Sequence, residues 1–175
     1  AAAGAGAATM SGAPPQGTGL ILATLFVALC LSVLPMPVWA SAYRPQWLAL
    51  TLIFWTLTLP TRVGVFWAFG AGILQDVVAG SLLGGHALSL SVVAYLTLEL
   101  HQRILPFPLW QQAVSVWLLL LLERLLSLWL LGAAGQPTPA LNYWLPTFVG
   151  MLLWPWLATV LQRLRQRFRV GTTDQ

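Results

Sequence analysis

Asp76, His86, Glu123 and Arg124 stand inside stretches that are otherwise almost wholly apolar. Ionisable side chains in such surroundings are costly to desolvate, so each must be paired, hydrogen-bonded or functional. Asp76 has the most informative setting. Gly64, Ala68, Gly72, Asp76 and Gly80 recur at every fourth position, which on a helix makes one narrow stripe of small residues carrying a single carboxylate. Two chemistries fit that pattern. The stripe can seat a second helix at close range, with the carboxylate bound by that neighbour; or the carboxylate can be a proton or ion site. No second acidic residue lies nearby in sequence to form a relay, which favours packing.

Glu123 and Arg124 are adjacent, and adjacent helical positions point about 100° apart, so each needs a partner on another helix. Asp76 lies roughly 21 Å along its helix from Arg62, at about 1.5 Å per residue, and Arg124 lies equally far from Trp110. Matching depths lead to the expectation of an Asp76–Arg124 ion pair. His86 reads as a hydrogen-bonded residue near a membrane surface. Glu99 and Arg103 have the i,i+4 spacing of a surface ion pair. Catalysis finds little support: there is no Gly-x-Ser-x-Gly, no metal-ligand pair on one helix, and no second intramembrane Asp for an aspartyl dyad. No cofactor or metal is expected. Cys30, the sole cysteine, rules out an internal disulfide and reads as a small core residue.

The elements that hold these residues follow from composition. The chain has 175 residues, 58% hydrophobic and 7% charged, with a mean hydropathy of +0.80. A water-soluble domain cannot hide so much apolar surface, and runs such as Trp117 to Leu122 lack the alternation of a membrane barrel. The expected fold is therefore an all-α integral membrane protein. Residues 1–19 read as a flexible tail, partly an appended linker, with Met10 as the expected natural start. Residues 20–162 form a compact domain of about six transmembrane helices, near 20–34, 46–59, 63–79, 86–100, 110–131 and 143–161. The second and fourth segments are short of the ~20 residues that a perpendicular crossing needs. The turn at 80–85, with Gly80 and Gly84, joins the third and fourth into a hairpin. Pro35, Pro37, Pro60, Pro106, Pro108, Pro137 and Pro139 mark the loops, while Pro146 and Pro155 fall in the last segment and can kink it. Ala40-Ser41-Ala42 resembles a signal-peptidase site, but no basic residue precedes the first apolar run, so that run reads as a retained span.

All eight basic residues are Arg. With both termini in the cytoplasm, Arg62, Arg103, Arg163, Arg165, Arg167 and Arg169 fall inside and Arg44 outside, as the positive-inside rule prefers. The Arg-rich end, residues 163–175, reads as a cytoplasmic tail anchored on anionic lipid, either a charged span end or a short interfacial helix with Leu161, Leu164 and Phe168 on one face. Nucleic-acid binding is not expected.

The blocks GILQDVVAGSLLGGHALSLSVVAYL, LHQRILPFPLWQQA, YWLP and LLWPWL resemble the bacterial rod shape-determining MreD family, over nearly everything from the first apolar segment to Val170. The LHQR…FPLWQQ block is similar to the gamma-proteobacterial branch. The family pattern matches at Asp76, Gly80, Leu83, Gly84 and His86. The resemblance implies a small, non-enzymatic inner-membrane subunit of the machinery for lateral peptidoglycan synthesis. It also implies MreC as direct partner, alongside the MreB filament and the RodA–transpeptidase synthase pair. A second class stays open on architecture alone, the small-molecule-binding subunit of an energy-coupling-factor transporter. A polar, ligand-sized cavity near Asp76 would favour transport; a packed interior with an apolar groove on its outer face would favour assembly.

Overall fold

A computed structural model describes residues 17–137 and 139–170; the expected linker and Met10 lie outside the described residues, as do 171–175. The described residues form helices α1 (Thr18–Val33), α2 (Val38–Ser41), α3 (Trp47–Thr58), α4 (Val65–Ala79), α5 (Gly85–Ile104), α6 (Leu109–Ala133) and α7 (Leu145–Arg167), with a single 3-10 turn at Leu141–Trp144 before the last. No strand occurs among them. Apart from the one-turn α2, each helix occupies one of the six apolar segments. Two are long and apolar enough to cross a membrane: α6, and α7 with the preceding 3-10 turn. Three more, α1, α3 and α4, are apolar but shorter.

The shortest of the long elements is the centre. Every residue of α3 from Leu48 to Leu57 is buried, and α1, α5, α6 and α7 all pack on it. A helix apolar on every side belongs inside a bundle. Around it, α4 bridges α1 and α5, and α5, α6 and α7 pack in chain order. In α1, Ile21, Leu25 and Ala28 form the buried stripe, and the Trp55 indole donates to Thr24 Oγ1 at 2.8 Å. Cys30, expected in the core, lies on the exposed face of α1, because the buried stripe runs along the opposite side.

Proline sets several boundaries. Pro35 and Pro37 follow α1 and Pro60 follows α3, as expected where the ring removes a donor and disfavours helix in the preceding residue. Pro146 does not interrupt the last helix. It occupies its first turn, where no intrahelical N–H partner is needed. Pro155 does lie inside α7, which continues past it. That helix also runs through Arg163 and Arg165 to Arg167, so the basic cluster ends a long helix rather than forming a separate interfacial one. Leu161 is buried beneath it, Leu164 packs on the core and Phe168 is exposed. Val170, just beyond, is buried against Gly17 at the start of α1.

Candidate functional site

The polar side chains converge at one end of the bundle, where α4 hands over to α5. Gly80 adopts φ 62° and closes α4, with its own N–H directed to the Val77 carbonyl and the Ser81 N–H donating to the Asp76 carbonyl at 3.1 Å. This left-handed cap turns the chain back at once, as glycine does without a Cβ clash. Gly84, at φ 95°, then opens α5. No side chain of α5 caps its own N-terminus; the carboxylate of Asp76 does so from α4. Its Oδ2 accepts from the N–H of Gly84 at 2.9 Å and of Ala87 at 3.4 Å. Its Oδ1 accepts from the Ser81 hydroxyl at 2.9 Å and the His86 N–H at 3.2 Å, and lies 2.7 Å from His86 Nδ1. A helix N-terminus leaves backbone donors unmatched and carries a partial positive charge. Fully buried Asp76 answers both.

The stripe does the rest. Ala68, Gly72 and Asp76 are the buried residues of α4, and α5 is the helix they meet. A Cβ placed on Gly72 would stand 2.4 Å from Ala87 Cα, so the two backbones touch there. Gly72 therefore seats α5 of its own chain, which leaves no room for a partner helix at that point. Gly64 is the N-cap of α4, in extended conformation, and a Cβ there would meet only Leu98 at 3.8 Å.

Asp76 does not pair with Arg124. Its side-chain contacts are with His86 and Ser81, because the five donors at the hairpin reach the carboxylate first. Both members of the Glu123–Arg124 dipeptide find partners on other elements. Buried Glu123 accepts from Ser89 of α5 at 3.3 Å, from Ser127 at 3.0 Å and from the side-chain amide of Gln46, the residue before α3. Arg124 stacks on Tyr143, its Cζ 4.6 Å from the ring centroid, and the Tyr143 hydroxyl donates to its carbonyl at 3.4 Å. Its Nε is buried without a partner. No ion pair joins Glu99 to Arg103, both exposed.

The sequence pattern places Arg44 only outside the membrane and Tyr143 only at the start of the last apolar segment. Arg44 in fact reaches back over the proline-rich link to cap α1, donating from Nη1 to the Ser32 carbonyl at 2.7 Å and from Nη2 to the Leu34 carbonyl at 2.5 Å. No periodicity announces such a contact; a cation shortly after a helix end is the available signal. Arg44, Gln46, Gln75, Arg124, Asn142 and Tyr143 line a polar cavity of about 520 Å³. A cavity of about 30 Å³, room for roughly one water, lies between Gln46, Gln75, His86, Glu123 and Arg124. On the outer face, an apolar groove of about 660 Å³ runs between α1 and α4, lined among others by Leu22, Phe26, Phe66, Gly70 and Leu74. Among the described residues no group of three His, Cys, Asp or Glu side chains is placed to hold a metal ion.

The family model for rod shape-determining protein MreD matches residues 15–164. The chain belongs to the MreD family. It is 32% identical over 153 residues to the rod shape-determining protein MreD of Haemophilus influenzae, covering 86% of this chain and 93% of that relative. No solved structure matches it. In this MreD family member the block from Asp76 to His86 thus has a local physical meaning: Gly80 stops one helix, Gly84 starts the next, and Asp76, Ser81 and His86 tie the two together.

Proposed function

We propose that this chain is a non-enzymatic scaffold or regulatory subunit of the bacterial cell-elongation machinery, holding MreC in the inner membrane. The observation that carries the reading is the family match across residues 15–164, which points to cell shape rather than to a transporter subunit. In this reading the six longer helices all cross the bilayer, with both termini in the cytoplasm. Arg62, Arg103, Arg163, Arg165, Arg167 and Arg169 then lie inside against anionic lipid, and Arg44 lies outside. The 12 residues of α3 cover about 18 Å, against a hydrocarbon core of about 30 Å. Its burial inside the bundle supports the short span, since its non-helical ends sit among protein groups rather than lipid. Trp39 and Trp129, 78% and 69% exposed, suit an outer aromatic belt.

With α5 filling the small-residue stripe, we take the apolar groove between α1 and α4 as the surface for MreC. The MreB filament and the RodA–transpeptidase pair would then be reached through that complex. The test is co-purification of MreC in mild detergent. Gly70 has open space around it, so Gly70→Trp should fill the groove and release MreC from a folded protein. Leu152→Trp, on the exposed face of α7, should leave MreC bound. Retention by both variants would move the contact elsewhere, and a wild-type chain that never captures MreC would overturn the partner assignment.

A further inference from the structure

The polar cavity at the α4–α5 end has a one-sided charge. Arg44 and Arg124 are the ionisable groups of opposite chain segments that line it, together with Tyr143, and no carboxylate does. Neither guanidinium is fully used by the protein. Arg44 is clamped by the two carbonyls at the end of α1, which fixes its head, yet its Nε is buried and without a partner. Arg124 is held flat against Tyr143, and no acceptor among the described residues reaches its buried Nε. A guanidinium has five N–H donors in a fixed fork, and the terminal donors of Arg124, which make no hydrogen bond to the described residues, remain for a ligand. The carboxylate nearest in sequence, Glu123, is engaged by Gln46, Ser89 and Ser127. It offsets part of the field of Arg124 without occupying its donors. The side chains of Gln75 and Asn142 add neutral donors to the wall, and Pro146 of the first turn of α7 borders it, bringing the positive end of that helix dipole near. A volume of about 520 Å³ falls within the range of small-ligand sites.

We infer that this cavity binds a phosphate-bearing ligand, with Arg124 and Arg44 as its charged donors. Planar, preoriented guanidinium groups are the side chains best matched to phosphate oxygens. The ligand chemistry is a phosphate mono- or diester anion, supplied either by an anionic lipid headgroup or by free phosphate. The inference does not depend on MreC binding.

The experiment uses the full chain in detergent. Retention of phosphatidylglycerol against phosphatidylcholine is read by native mass spectrometry, and the effect of inorganic phosphate on thermal unfolding is measured in parallel. Phosphatidylglycerol should be retained preferentially by the wild type. Arg124→Gln should weaken that retention about tenfold or more, the loss of charge-assisted hydrogen bonds. Asn142→Asp, at an exposed position on the rim, should do the same by repulsion without touching the core. Leu152→Ala, on the exposed apolar face of α7, should leave it unchanged. Stabilisation by inorganic phosphate in the wild type and not in Asn142→Asp would assign the site to free phosphate instead of lipid. If Asn142→Asp keeps full preference for phosphatidylglycerol and no response to phosphate is seen, or if Leu152→Ala abolishes the preference, the inference is overturned.

Discussion

Two carboxylates are buried at the same end of this molecule, and they are treated differently. Asp76 is surrounded by donors that belong to one hairpin, most of them backbone N–H groups at the start of α5. Glu123 is held by three side chains from three separate places, Gln46, Ser89 and Ser127. Its neighbour Arg124 keeps an unmatched buried donor. The first arrangement is complete and local, and it serves the fold. The second is assembled across the bundle, borders a cavity and leaves capacity unused. Satisfaction of hydrogen-bonding capacity, rather than burial alone, separates a structural carboxylate from a region able to take a ligand.

The comparison can be broken by substitution. The largest effect should come from Asp76→Ala, which strands the N–H groups of Gly84, His86 and Ala87 together and removes the contact with the His86 ring. A loss of about 3 to 5 kcal/mol is expected, as for breaking other buried charged networks. Thermal unfolding in detergent checks it, and an unchanged midpoint would show that the hairpin does not need its carboxylate. Next is Gly72→Leu, whose Cβ would stand 2.4 Å from the Ala87 backbone. It should cost roughly 3 kcal/mol through overpacking, at the upper end of the usual range. Gly70→Leu, two positions away with nothing within 4 Å of its Cβ, should be nearly silent; equal losses for the two would refute the close contact of α4 with α5. Smallest is Glu123→Gln. Its Ser89 and Ser127 donors keep an amide oxygen to bond, so the loss should stay near 1 kcal/mol, that of one hydrogen bond. A loss as large as that of Asp76→Ala would make Glu123 a structural carboxylate too.

Much of this was legible in the sequence. The positions of the six longer helices follow the apolar segments, and the buried face of α4 is the four-residue stripe at Ala68, Gly72 and Asp76. The hairpin turn follows from Gly80 and Gly84. The partner of Asp76 was misread, since matching depths on separate helices pointed to Arg124. Depth matching holds only for straight helices of comparable reach, and it leaves out the donors that a tight turn brings within 11 residues of the carboxylate. Which helix Gly72 meets stayed open in the sequence for a related reason. A stripe of small residues shows that something comes close, and only the packing of α5 shows what.

By itself, then, the sequence determined the helical class, the helix boundaries at Pro and Gly, and the face of α4 that had to be covered. These depend on backbone sterics and on a periodicity of about 3.6 residues, both local properties. Tertiary structure alone decided that Asp76 caps α5, that Arg44 caps α1, and that Arg124 turns to Tyr143 with a donor left over. Each of those outcomes is a competition among short-range contacts between distant segments, and its winner depends on differences of an ångström or two that no spacing along the chain encodes.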